Sequence, residues 1–222
     1  MSTPPSNFQA ARAFVEYGLS EKRQGRRESA SGPGSALSAT AECLELLDEV
    51  IARYGVKTIL DLGCGDWHWM RLAGWRKGKE IIRYEGWDAH AGMVDHLTQL
   101  YGDERTFFRV GDITTEPLPP ADLVICRDVL FHLPIDLAKR VVDQLKSRNG
   151  LLISTSFQHV KENTGIKPYM PIENWGFYHI NLDLAPFDLA PYRLRAIPEA
   201  VSAILEQERS ICLYQMKAPA PE

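Results

Sequence analysis

Residues 56–67 read VKTILDLGCGDW, an apolar run that stops abruptly at Asp-Leu-Gly-Cys-Gly. Val56, Ile59 and Leu60 lead into that stop with the character of a strand buried on both faces. Gly63 and Gly65 lack the Cβ atoms that would block a sharp turn and the close approach of a ligand to the main chain. A small molecule held there would lie against the amides that open the next helix. Strand, Gly-x-Gly and helix together signal a nucleotide cofactor.

The charge pattern narrows the nucleotide. A dinucleotide fingerprint places a third glycine where the helix packs tightly beneath a pyrophosphate. That position is His68 here, with Trp67 and Trp69 beside it. Asp61 adds a carboxylate at the strand end, which would repel a phosphate and attract a cation. S-adenosylmethionine (SAM) carries a sulfonium and an ammonium and no phosphate, so it fits better.

Composition bounds the rest. At 222 residues the chain suits one domain with appendages, and 45% hydrophobic with 24% charged residues is an ordinary globular balance. A net charge of −4 without a Lys/Arg stripe argues against nucleic acid as the main partner. The longest apolar runs are strand-length, so no membrane span is expected. Cys43, Cys64, Cys126 and Cys212 are scattered, in neither a zinc spacing nor a disulfide framework, which points to a reducing cytoplasm.

Along the chain, residues 1–7 read as frayed, and residues 8–19 show apolar positions at roughly helical spacing. Residues 29–35 (SASGPGS) form a flexible break. Residues 40–54 make an amphipathic helix that Gly55 closes. A strand at 56–60 is followed by a short helix expected over 67–73, and a second strand over 81–87 precedes a helix at about 90–101. Strands at 106–110 and 121–126, a helix at 135–147 and a strand at 150–155 continue the alternation. Residues 157–191 are aromatic, prolyl and aperiodic, as functional or mobile segments often are. Strands at 192–197 and 211–216, with a helix at 199–207 between them, would close the sheet. Strand alternating with helix means a parallel sheet with ligands at the carboxyl ends of its strands.

The loop Asp61-Leu62-Gly63-Cys64-Gly65 resembles motif I of the class I SAM-dependent methyltransferases. Later segments agree in order. Asp88 follows the second strand at the spacing of an acid that accepts from ribose hydroxyls. Gly111-Asp112-Ile113 resembles the motif whose Asp binds the adenine amino group. Arg127-Asp128-Val129-Leu130-Phe131-His132-Leu133-Pro134 resembles the motif that faces both cofactor and acceptor. The resemblance covers residues 36–156 well and the flanks loosely. It implies a Rossmann-like, seven-stranded, mostly parallel α/β sheet with helices on both faces and the last strand antiparallel. Segments such as DLGCGDWHW and CRDVLFHL are also similar to a bacterial group of small methyltransferases associated with saccharide or natural-product synthesis.

The resemblance divides the chain into an N-terminal arm over residues 1–35 and a SAM-dependent methyltransferase domain over 36–222, with an acceptor-binding insertion at about 157–191. The arm is either a lid or the arm of a homodimer. The cofactor set is Asp61, Gly63, Cys64, Gly65, Trp67, Asp88, Ala89, Asp112, Ile113 and Arg127. Ala89 and Ile113 would cover the adenine ring, and Trp67 would shield the sulfonium by cation–π contact. Asp128 and His132 fall four residues apart, so a helical turn would put them on one face. Imidazole titrates near neutrality, which makes His132 the candidate general base, with Asp128 orienting it. Asp128 also has a role open as ligand to a divalent cation such as Mg²⁺. One carboxylate does not build such a site, and the metal stays unassigned. In the insertion, His159, Tyr169, Trp175, Tyr178 and His179 suit a carbohydrate or other amphipathic acceptor.

The expected function is methyl transfer to a hydroxyl oxygen of a small polar acceptor, a saccharide or related metabolite. The Asn/Asp-Pro-Pro-Tyr motif of amino-directed nucleic-acid enzymes is absent after the fourth strand. Two other classes stay open: a nicotinamide-dependent oxidoreductase on a similar sheet, and a SAM-binding protein without turnover.

Overall fold

The computed structural model describes residues 7–78, 82–163, 178–199 and 209–217. Seven strands form one sheet: β1 (Thr58–Leu62), β2 (Arg83–Asp88), β3 (Thr106–Val110), β4 (Leu123–Cys126), β5 (Gly150–Ser156), β6 (Arg193–Pro198) and β7 (Ser210–Met216). Their order is β3-β2-β1-β4-β5-β7-β6. The first five pair in parallel, while β7 runs antiparallel to both β5 and β6. This is the Rossmann-like sheet that the alternation and the resemblance imply. Among the described residues four α-helices accompany it: α1 (Asn7–Arg23), α2 (Leu37–Tyr54), α3 (Ala91–Tyr101) and α4 (Ile135–Lys146). Residues 200–207 of the proposed helix at 199–207, Tyr169, Trp175 and residues 1–6 lie outside the described residues.

Alternation along the central strands splits their side chains between two cores. Ile59, Leu123, Ile125, Leu151 and Ile153 join the α2 side with Cys43, Leu46, Leu47 and Val50. Leu60, Leu62, Val124, Cys126 and Leu152 join the α4 side with Ala138, Val141, Val142 and Leu145. Each fully buried aliphatic side chain contributes roughly 1.5–3 kcal/mol of transfer free energy, so the two cores rather than the connections hold the sheet. Because the side chains of Ile59 and Asp61 share a face, burying Ile59 against α2 also draws the Asp61 carboxylate inward. Gly55 ends α2 at φ 63°, the left-handed closure its position implies.

The chain after the glycine loop departs from expectation. Instead of an α-helix over 67–73, it makes two single 3₁₀ turns, Met70–Leu72 and Gly74–Arg76. Trp67 sits at φ 53°, a left-handed value that no right-handed helix accommodates. The buried indoles of Trp67, Trp69 and Trp75 anchor this stretch in place of helical hydrogen bonding.

Candidate active site at the glycine loop

The loop is tied to the next strand by its own backbone. Gly63 N and Cys64 N both donate to Trp87 O, at 2.8 and 3.0 Å. Gly65 N donates to Asp88 Oδ2 at 3.0 Å, and His90 N donates to Oδ1 at 2.9 Å. Gly63 and Gly65 take φ 75° and 56°. A Cβ at Gly63 would lie 2.4 Å from Val129 Cγ2, so glycine is required there for space as well as for conformation.

Asp61 is 4% exposed and accepts a 2.6 Å hydrogen bond from Tyr84 OH at Oδ2. Among the described residues, Tyr84 is the one side-chain donor to this carboxylate. Burial pushes its pKa from 3.8 up to about 7. Asp61, Gly63, Cys64, Asp66, His68, Ser31 and Ser35 surround a small polar cavity. The Cys64 thiol is raised well above its ordinary range by burial, so it lines the cavity as an inert group.

Asp88, Ala89 and Asp112 are half-buried at the carboxyl ends of β2 and β3, and Ile113 beside them is buried. Gly111 N donates to Asp88 O at 3.1 Å, which brings the two acidic stations together. Burial raises the pKa of Asp88 above its ordinary value, against the backbone N–H donors that favour its charged form. Asp112 Oδ1 accepts from Thr114 N at 2.8 Å and from Thr114 Oγ1 at 2.6 Å, an Asx turn that fixes its rotamer.

Three of the expected site residues have extensive protein partners of their own. Trp67 packs in the core against Tyr84, Tyr101 and Phe108, with ring centroids 5.5, 5.0 and 5.1 Å away. The cation over its ring is the Arg76 guanidinium at 4.9 Å, so the indole has protein partners on the faces described.

Arg127 has all its N–H donors committed. Nε and Nη2 reach Glu199 Oε1 at 3.1 and 2.6 Å. Nη1 reaches Gly34 O at 2.9 Å and Asp128 Oδ2 at 3.2 Å, and Nη2 also reaches Ala39 O at 3.2 Å. It pins the arm and the start of α2 to the end of β4 rather than presenting donors to a cofactor. Burial opposes its charge, yet the carboxylates of Asp128 and Glu199 hold its pKa above the ordinary value.

Asp128 takes φ 57°, and Leu130–His132 is a single 3₁₀ turn, so the segment is not helical and the one-face argument for Asp128 and His132 fails. Asp128 Oδ1 accepts from Thr155 Oγ1 at 2.7 Å, and Oδ2 lies 3.2 Å from Arg127 Nη1 and 3.1 Å from Arg209 Nη2. Burial would raise its pKa, but Arg127 and Arg209 overcome that and lower it. Both carboxylate oxygens of Asp128 are thus engaged by protein partners, and the two guanidiniums favour its charged form. Among the described residues no group of three His, Cys, Asp or Glu side chains is arranged to hold a metal ion.

His132 is partly exposed and rests on Phe131, with ring centroids 4.4 Å apart, and on Phe14 of α1 at 6.0 Å. Phe131 meets Phe157 edge-on at 5.5 Å. Phe157 stacks on His179 at 4.5 Å, and His159 lies 5.5 Å from His179. Tyr178 N donates to Phe131 O at 2.7 Å, fastening this wall to the turn that carries His132. Burial and the nearby His159 lower the pKa of His179.

Sequence reasoning missed Glu199, Arg209, Thr155, Tyr84 and Asp66. Each acts through partners distant in the chain, and no local motif marks them.

The family described as "Methyltransferase domain" matches residues 60–153. Comparison of the sequence with curated proteins gives no significant match. Among solved structures, magnesium protoporphyrin IX methyltransferase from Synechocystis PCC 6803 with bound SAM is similar at 16% identity and TM-score 0.66, over 98% of this chain and 100% of that one. The 1,6-didemethyltoxoflavin-N1-methyltransferase of Burkholderia thailandensis is similar at 14% identity and TM-score 0.65, over 98% and 93% of the two chains. The cyclase SpnF is similar at 14% identity and TM-score 0.65, over 99% of each. Identities this low show the fold, which is that of the class I SAM-dependent methyltransferases.

Proposed function

We propose that this chain, with a methyltransferase domain over residues 60–153, moves a methyl group from SAM to a hydroxyl oxygen of a small polar acceptor. The observation that carries the reading is Asp61. A carboxylate 4% exposed beside the glycine loop, with Tyr84 as its one side-chain donor among the described residues, favours a cationic ligand over a pyrophosphate. The SAM ammonium supplies that cation. Asp88 would take the ribose hydroxyls, Asp112 the adenine amino group, and Ala89 and Ile113 the faces of the adenine ring. When bound, the sulfonium makes its methyl group electrophilic. What remains for the protein is to orient the acceptor and to accept its proton.

His132 fits that second task, because it is partly exposed and held against Phe131 and Phe14. The aromatic and imidazole wall of Phe131, Tyr178, His159 and His179 suits an acceptor with apolar faces and hydroxyl edges, a saccharide or related metabolite. The test is a panel of sugars, phenols and amines scored for S-adenosylhomocysteine (SAH) production, with and without Mg²⁺. Turnover confined to amines would overturn the hydroxyl reading. Calorimetric binding of NAD(H) without a response to SAM would overturn the cofactor assignment.

A further inference from the structure

The cavity beside Asp61 is small and polar, and Ser31 and Ser35 of the N-terminal arm form part of its wall. Ser31 Oγ accepts from Asp66 N at 2.9 Å, covering the first amide past the glycine loop. The Asp66 carboxylate in turn receives four donors of the arm: Lys22 Nζ at 2.8 Å, Ser29 Oγ at 2.7 Å, Ala30 N at 2.9 Å and Ser31 Oγ at 3.2 Å. Glu28 pairs with His68 at 2.8 Å.

The seams between arm and domain are fitted at backbone level. A Cβ on Gly65 would lie 2.1 Å from Ser31 Oγ, and one on Gly34 would lie 2.4 Å from Asp128 Oδ2. Within the arm, a Cβ on Gly18 would lie 1.9 Å from Ala30 O, so α1 and the 29–35 strap are packed as one body. That body reaches the acceptor side as well, because Phe14 of α1 rests on His132. It joins the domain at Ala36, where α2 begins without a side-chain cap.

We infer that residues 13–35 form one gate over both the cofactor and the acceptor sides, latched on Asp66, and that SAM enters only when this latch releases. The inference rests on the SAM reading given above. It explains why an acidic residue stands directly after Gly65: Asp66 is the arm's anchor point. Opening would free the Asp61 cavity and lift Phe14 from His132 in the same movement.

Stopped-flow tryptophan fluorescence with SAH as the probe tests it, since Trp69 lines the cavity. In the wild type the observed rate should level off at high SAH concentration, at the rate of opening. In Asp66→Asn the plateau should rise about tenfold, as loss of a charge-assisted latch implies. The Ser29→Ala/Ser31→Ala double variant keeps the Asp66–Lys22 pair and should move the plateau in the same direction by a smaller factor; it decides the question if Asp66→Asn does not fold. Rates that climb in proportion to SAH concentration and match in all three proteins would overturn the gate. Wild-type protein that binds no SAH by calorimetry would instead overturn the cofactor reading on which the gate depends.

Discussion

Replacing Asp61 by Asn should make the free protein more stable and the liganded protein weaker. The native carboxylate titrates at about 7 instead of 3.8 because burial penalises its charge. Between those values the folded chain keeps a proton that the unfolded chain has lost, so this group costs stability as pH rises from 3.8 to about 7. A shift of that size corresponds to a ceiling of ~4 kcal/mol, fully expressed above pH 7. Asn keeps the acceptor for Tyr84 OH and never ionises. Urea unfolding below pH 3.8 should therefore find the two proteins alike, at pH 5 the Asp61→Asn variant should already lead by about 1–2 kcal/mol, and at pH 8 it should be the more stable by a few kcal/mol.

Binding should run the other way. Losing a charge-assisted contact to the SAH ammonium costs about 1.5–3 kcal/mol, roughly 10- to 150-fold in affinity by calorimetry. Wild-type affinity should rise as pH passes about 7, where Asp61 ionises, and fall above ~8 as the ligand amine loses its proton. An Asp61→Asn variant less stable than the wild type at pH 8, or one that binds SAH equally well, would refute the assignment of Asp61 as a buried anion awaiting a cation.

His132→Ala should abolish turnover on hydroxyl acceptors while SAH affinity is retained; unchanged turnover would remove His132 from the chemistry. Glu199→Gln leaves Arg127 and Arg209 facing Asp128 alone, and an uncompensated buried charge costs about 3–5 kcal/mol. An unchanged urea midpoint would show that the cluster is not electrostatically coupled. Gly65→Ala forces a Cβ into φ 56° and to within 2.1 Å of Ser31 Oγ. The backbone penalty alone is ~1–2 kcal/mol, and a lower melting temperature with faster proteolysis of the arm is expected.

The sheet was legible because β1, β4 and β5 are buried on both faces, and such strands announce themselves as unbroken apolar runs whatever packs on them. The glycine loop and the spacing to Asp88 were legible for a related reason. A sharp turn and a strand-end acid are local requirements, met by Gly63, Gly65 and a fixed length of chain. The failure after the loop has the opposite cause. DWHWMRLAGW has helical-looking composition, but three large indoles competing for one core force the backbone into 3₁₀ turns, with Trp67 left-handed. Tertiary packing overrode a local preference that was weak to begin with.

Arg127 and Asp128 show where motif reasoning stops. Their neighbourhood in the sequence marks them as residues of a ligand site, and they do stand at the carboxyl end of β4. Yet their charges are balanced by Glu199 and Arg209, 72 and 81 positions further on, and by the carbonyls of Gly34 in the arm and Ala39 in α2. Removing two arginines and two acids from water is costly unless every charge is met, and meeting them fixes the relative positions of the arm, β4 and the start of β7. Of the two residues that the motif offers for catalysis, the one that seemed to orient the base is thus spent on the scaffold. The division is chemically consistent. A base must change its charge during turnover, and two guanidiniums that favour the charged form of Asp128 work against that, which leaves the imidazole of His132 as the proposed base.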